Sequence, residues 1–340
     1  MTQPPKTTRI IPLVDLRHAS LLDLLRGYKH HTLDIMHQLK SGGLLSRLRC
    51  AARFRLGDAW ALKFLKKTND PYRAEIESFA REKDMRGIAA LNMSYEWGCT
   101  TAVAGKDGRV TLLRVLDWDY PALGENLVVA HQQGPAGEFH NITWPGLSGV
   151  FNALAAGRFA AAINRAPEKK TSLPEKISGF FRKKHVAGAL PPAHLLRHVF
   201  ENARDYAEAK EILKTRPVTA PVIYTLAGIN PGEGCVIERT EEKAVVREMM
   251  DGQVCTANHF NTSLNDVGRG WTARTEHSPQ RQAKLEQTAA ETGGFAWFQP
   301  PVANENSRVA FVADAATGKL ELMGTNGASP VTEVFRLPAR

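Results

Sequence analysis

Apolar positions change their spacing once along the chain. Ahead of residue 99 they recur every three or four residues, and 21–39 and 71–83 predict helices. Asn69-Asp70-Pro71 supplies a helix start, an N-cap followed by proline in the first turn. From residue 99 onward, short apolar runs bounded by turn residues predict strands. Residues 99–104 pair with 110–117 across Lys106-Asp107-Gly108; 127–131 and 139–143 follow, and 149–154 and 158–163 flank Ala155-Ala156-Gly157. Helical spacing returns at 192–202 and at 205–214, the latter introduced by Asp205 as its cap. Residues 222–227 and 235–239 are joined by the turn Asn230-Pro231-Gly232-Glu233-Gly234, and 244–249, 253–258, 309–314 and 319–323 complete the strands. Hairpins interrupted by a helical block predict an α+β protein of two stacked sheets with helices outside. Residues 168–184 read as an insertion.

With 340 residues, 43% of them hydrophobic, the chain can bury a substantial core. A net charge of +9 favours an anionic contact. Zinc-finger spacing, RNA-binding aromatic motifs and sustained Lys/Arg repeats are lacking, which argues against nucleic acid. Residues 47–67 interleave Leu48, Phe54, Leu56, Trp60, Phe64 and Leu65 with Arg and Lys. Such a helix either touches an anionic membrane or micelle, or packs its apolar face on the second sheet. Residues 1–17 hold no apolar core of signal-peptide length, and no stretch reaches transmembrane length, so the expected location is cytoplasmic.

Cys50, Cys99, Cys235 and Cys255 are too sparse for a disulfide framework and lack metal spacing. Cys99 differs from the others. It heads the hairpin whose second strand returns Arg114 and Asp117 to the same end. That placement makes chemical sense if the chain is cut at Gly98–Cys99, because a terminal cysteine carries its own base, an α-amine of pKa about 7.7–8.0. Asp117 can then stabilise the ammonium, and Arg114 can hold that carboxylate or a polar end of the substrate.

Five blocks in order carry a resemblance: Leu91-Asn92-Met93-Ser94-Tyr95-Glu96, Cys99-Thr100-Thr101-Ala102-Val103-Ala104, Arg114-Val115-Leu116-Asp117, Asp205-Tyr206-Ala207-Glu208-Ala209-Lys210 and Gly232-Glu233-Gly234-Cys235-Val236-Ile237. The chain resembles the acid ceramidase and N-acylethanolamine acid amidase family, in the wider group of choloylglycine hydrolases and acyl-coenzyme A:penicillin acyltransferases. The resemblance implies an αββα N-terminal-nucleophile sandwich of two antiparallel sheets behind an N-terminal helical segment. It divides the chain into a pro-segment or α-subunit, 1–98, and a core or β-subunit, 99–340, which stay associated after self-cleavage between Gly98 and Cys99. It implies no cofactor and no metal.

The implied reaction is hydrolysis of a linear, non-peptide N-acyl amide through an acyl-thioester on Cys99; N-acyl transfer and a silent lipid-binding relative are the alternatives. Thr256-Ala257-Asn258-His259-Phe260 matches the strand end that puts an asparagine N–H in the oxyanion hole, and Ser278-Pro279-Gln280-Arg281 the helix bearing a second arginine. Asn164 falls where relatives complete the hole with a backbone N–H. Arg165 stands where the mammalian pattern has an acid, and Tyr95 sits closer to the cysteine than in that pattern. His259 is a candidate general base, although an amino-terminal cysteine does not need one.

Overall fold

The computed structural model describes residues 8–39, 44–94, 97–167, 188–266, 277–289 and 294–339. Ahead of Cys99 the chain forms β1 (Leu13–Asp15), α1 (Leu21–Gly27), α2 (Lys29–Leu39), α3 (Leu44–Lys67), α4 (Arg73–Arg81) and α5 (Ile88–Asn92). Then come β2 (Gly98–Lys106), β3 (Arg109–Asp117), α6 (Ala122–Glu125), β4 (Val128–Gly134), β5 (Gly137–Thr143), β6 (Asn152–Ala155) and β7 (Phe159–Arg165). The helical block is α7 (Pro192–Asn202) and α8 (Tyr206–Thr215), followed by β8 (Val222–Ala227), β9 (Gly234–Arg239), β10 (Ala244–Glu248) and β11 (Gln253–Thr256). After α9 (Ser278–Thr288) the chain closes with β12 (Ser307–Asp314), β13 (Lys319–Asn326), β14 (Ser329–Pro330) and β15 (Phe335–Leu337).

The strands form two sheets, ordered β1-β4-β5-β6-β7-β8-β9-β10 and β11-β2-β3-β12-β13-β14, with β15 also on β13. Alternation along β2 and β3 shows how they stack. Cys99, Val103, Leu112 and Leu116 join the core between the sheets, whereas Ala102, Ala104, Leu113 and Val115 pack outward with Leu285 of α9. Helices α7 and α8 cover the other sheet, and α1–α5 bury Val128 and Ala130 of β4. The result is four layers, αββα.

Two features depart from the sequence reading. The segment before Cys99 contributes a strand as well as helices, and β1 joins β4 in parallel, so one sheet is not purely antiparallel. The helix expected over 21–39 divides at Tyr28, whose N–H closes α1 on Leu24 O at 3.0 Å, next to the helix-weakening Gly27. The expected insertion at 168–184 lies outside the described residues. Helix α3 buries Ala61 and Leu65 in the N-terminal cluster, and Leu56 and Trp60 are exposed. No helix among the described residues is long and apolar enough to cross a membrane.

Gly124 of α6 and Gly324 of β13 let helix and sheet backbones touch. A Cβ on Gly324 would run into Gly124 O, and one on Gly124 into Thr325 O. Because backbone cannot rotate aside, Gly324→Ala is expected to destabilise by about 3 kcal/mol, the upper end of overpacking costs. Urea unfolding measures this, and an unchanged midpoint would show that the contact can relax.

Candidate active site

The β2–β3 hairpin is positioned by a two-residue loop, Asp107 and Gly108, both at positive φ (51° and 75°), which suits the strand twist. It fixes Gly98 opposite Asp117, Cys99 opposite Leu116 and Thr101 opposite Arg114. Strand alternation then divides the site between two faces. Cys99, Thr101 and Arg114 point between the sheets; Gly98, Thr100 and Asp117 point toward α9.

On the inner face, Arg114 donates from Nη2 to Cys99 Sγ at 3.0 Å and from Nη1 to Asn164 Oδ1 at 3.0 Å. Thr101 Oγ1 donates to the same Asn164 oxygen at 2.7 Å, and Asn164 Nδ2 donates to Ala257 O at 2.9 Å. Strand β6 pairs with β7 only as far as Ala162, so the β7 edge beyond it is open to the cysteine. Sγ lies 3.7 Å from Ile163 O, and the Arg165 backbone N–H donates to Sγ. Backbone alternation turns Asn164 toward β8, and the N–H at the sulfur is that of Arg165, one residue beyond the expected position.

On the outer face, Asn258 Oδ1 accepts the Cys99 backbone N–H at 2.8 Å and Arg281 Nη2–H at 2.8 Å. Its Nδ2 donates to Arg165 O at 3.0 Å. Two donors on one side and a carbonyl on the other fix the amide's orientation. Arg281 also donates from Nε to Thr100 Oγ1 at 3.1 Å, and that nitrogen lies 3.8 Å from Asp117 Oδ2. Asp117 crowds the residue before the cysteine: a Cβ on Gly98 would lie 3.4 Å from Asp117 Oδ2 and 3.6 Å from Asn258 Oδ1. Ser278 Oγ, at the start of α9, accepts the Asn258 N–H at 2.7 Å and pairs with His259 Nδ1 at 2.7 Å.

Electrostatically, burial pushes the Cys99 thiol up to about 11, against the pull of Arg114, with Asp117 adding to the rise and Arg281 opposing it. Burial lowers the Arg114 pKa, opposed by Cys99 and Asp117. A guanidinium with no exposed surface, bonded to a thiol rather than a carboxylate, is a standing attraction for a thiolate. Burial also lowers the pKa of His259. No cluster of metal-binding side chains occurs among the described residues.

The structure therefore gathers Cys99, Arg114, Asn164 and the Arg165 backbone on one face, and Gly98, Asp117, Asn258 and Arg281 on the other. His259 borders the site through Ser278, and Tyr95 lies outside the described residues. Arg114 holds the thiol and Asn164, and the Asp117 carboxylate meets Arg281 instead. Thr100, Thr101 and Ser278 fall within the matched motifs, but no role was expected of them. The two threonines were recoverable, since consecutive polar residues after the cysteine must serve opposite faces.

Residues 178–294 match the model for the family acyl-coenzyme A:6-aminopenicillanic acid acyl-transferase. The chain is 26% identical over 195 residues to acid ceramidase of Heterocephalus glaber, covering 52% of this chain and 49% of that protein. It is 28% identical over 193 residues to the N-acylethanolamine-hydrolyzing acid amidase of Oryctolagus cuniculus, covering 54% of this chain and 51% of that one. The chain is thus similar to acid ceramidase and N-acylethanolamine acid amidase. It spans about half the length of these curated relatives. Among solved structures, the Caenorhabditis elegans N-acylethanolamine-hydrolyzing acid amidase ortholog superposes with a TM-score of 0.51 at 20% identity, covering 71% of this chain and 100% of that chain. The αββα sandwich is thus the N-terminal-nucleophile hydrolase fold.

Proposed function

We propose that this protein is a self-cleaving cysteine amidase that hydrolyses linear, non-peptide N-acyl amides through an acyl-thioester on Cys99. The observation that carries this reading is the convergence of polar groups on one peptide bond. Asn258 Oδ1 takes the Cys99 N–H at 2.8 Å while Asp117 lies against Gly98. An amine freed there would already have an acceptor and a counter-charge. In the uncut chain that nitrogen is an amide without basicity, and burial pushes the neighbouring thiol up to about 11.

Self-cleavage would run by attack of Sγ on the Gly98 carbonyl carbon. The C–N bond breaks, the nitrogen leaves as the Cys99 amine with the thiol proton, and water hydrolyses the resulting thioester to a Gly98 carboxylate. In turnover the α-amine takes the Sγ proton and the thiolate attacks the substrate carbonyl carbon. Arg165 N–H and the second Nδ2 hydrogen of Asn258 would receive the oxyanion, each such donor being worth about 10²–10³ in rate. The ammonium then protonates the departing amine, and water attacks the thioester to release the acid. Residues 1–98 would be the cleaved segment, held on the 99–340 core.

The acyltransferase family match favours a second reading of the same thioester, in which an amine replaces water. Turnover of an acyl-CoA with an acceptor amine, compared with its hydrolysis, separates the two. The exposed Leu56 and Trp60, followed along α3 by the exposed Lys63, Lys66 and Lys67, suit peripheral contact with an anionic lipid or micellar surface.

Intact mass spectrometry of the purified wild type tests the central claim. The expected result is two polypeptides divided at Gly98/Cys99. A single full-length chain that nevertheless hydrolyses N-acyl amides overturns it.

A further inference from the structure

We propose that Ser307 is the positioning residue that aims Asp117 at the α-amine of Cys99, an inference that rests on the self-cleavage reading above. Ser307 has no exposed surface and its Oγ donates to Asp117 Oδ1 at 2.8 Å. The same oxygen accepts the Asn304 N–H at 3.0 Å, which directs the hydroxyl proton to the carboxylate. With Oδ1 anchored, Oδ2 is the oxygen left beside Gly98 and Arg281.

The local backbone is built for this placement. Ser307 pairs with Asp117, yet the next pair is Val309 with Leu116, so Arg308 is an extra residue in the β12–β3 ladder. That bulge shifts the alternation. Ser307 shares the Asp117 face, whereas Val309, two residues on, turns into the core between the sheets. The turn before it is held by Ser307 N–H to Asn304 O at 3.0 Å and Asn306 N–H to Asn304 Oδ1 at 3.0 Å. It is tied to the end of β3 by Trp118 N–H to Asn306 O at 2.7 Å.

The titratable and charged groups acting around Asp117 are Arg114 and Cys99 from the hairpin, Arg281 from α9, and Arg308 from β12, whose charge Asp119 also favours. Among them Asp117 is the anion beside the future amine. Loss of the Ser307 hydroxyl frees the carboxylate to rotate away. The ammonium then loses its counter-charge and its pKa falls.

The test compares wild type, Ser307→Ala, Ser307→Cys and Ser307→Thr, each checked for cleavage by intact mass. Measured are kcat, KM and the pH profile of kcat/KM on an N-acyl amide. In Ser307→Ala, kcat is expected to fall about tenfold with KM unchanged, as for a lost hydrogen bond to a charged group, and the acidic limb to move to lower pH. Ser307→Thr restores both. Should Ser307→Ala stay uncut, Ser307→Cys, of similar size but a weak donor, is expected to show the same shift. A cut wild type with variants that keep its acidic limb overturns the positioning role alone. A wild type that stays uncut overturns the cleavage reading, and this role with it.

Discussion

Cys99→Ala is expected to leave one uncut polypeptide without amide turnover. Both consequences follow from one atom, because Sγ is the proposed nucleophile on the Gly98 carbonyl and on the substrate carbonyl. The loss should be complete, since neither of the other described thiols can replace it. Cys235 and Cys255 are buried, and burial pushes their thiols up to about 11 and about 12. The fold should survive. The Arg114–Asn164–Thr101 network keeps its internal bonds, and the vacated volume is about that of one methylene, costing about 1 kcal/mol. The readouts are intact mass, urea unfolding and product formation from an N-acyl amide. Wild-type turnover by a folded Cys99→Ala chain would move the chemistry away from Cys99 altogether. An alanine chain still cut before residue 99 would instead assign the cleavage to another protease.

The hairpin that holds this site was legible because its signals are local. Asp107-Gly108 dictates the loop, and register follows from it, so Cys99, Arg114 and Asp117 were placed together before any tertiary information. Asn258 and Arg281 were reachable only through the resemblance. Nothing in composition or periodicity links residue 99 to a strand end and a helix more than 150 residues away. The parts that were not legible share a cause in nonlocal geometry. The Arg165 N–H reaches the sulfur because β6 is short, which depends on where pairing stops and not on the identity of residue 165. Ser307 reaches Asp117 through a bulge that leaves no mark on the apolar pattern. β1 is three residues whose pairing with β4 is decided by an open sheet edge.

That edge strand belongs to the segment the proposed cut would release, so residues 1–98 need other ties to the core. Arg197 of α7 supplies one. It donates to Glu75 Oε1 of α4 at 2.6 Å, to Glu201 Oε1 at 2.7 Å and to Ser148 O at 2.9 Å, and its guanidinium lies 4.1 Å from the Tyr72 ring centroid. Burial works against its charge, yet Glu75 and Glu201 together raise its pKa above the ordinary value. Beside it, Asp70 accepts Tyr72 N–H at 2.8 Å and pairs with His194 at 2.7 Å, again across Cys99 in sequence. Arg197→Ala removes the cation shared by the two carboxylates. Ser148 Oγ and Tyr72 OH remain bonded to them, at 2.6 Å each, but neither carries charge. The pairs are partly buried, so this loss is expected to cost about 3 kcal/mol, the lower end of the value for a buried pair. In the cut protein the loss should be visible as release of the N-terminal fragment on gel filtration in mild urea, where the wild-type fragments co-elute. Arg197→Lys keeps the charge without the planar fork and should fall between the two. A loss below about 1 kcal/mol, the value of an ordinary exposed pair, would mean that β1 and the apolar face of α1–α5 hold the segment without this network.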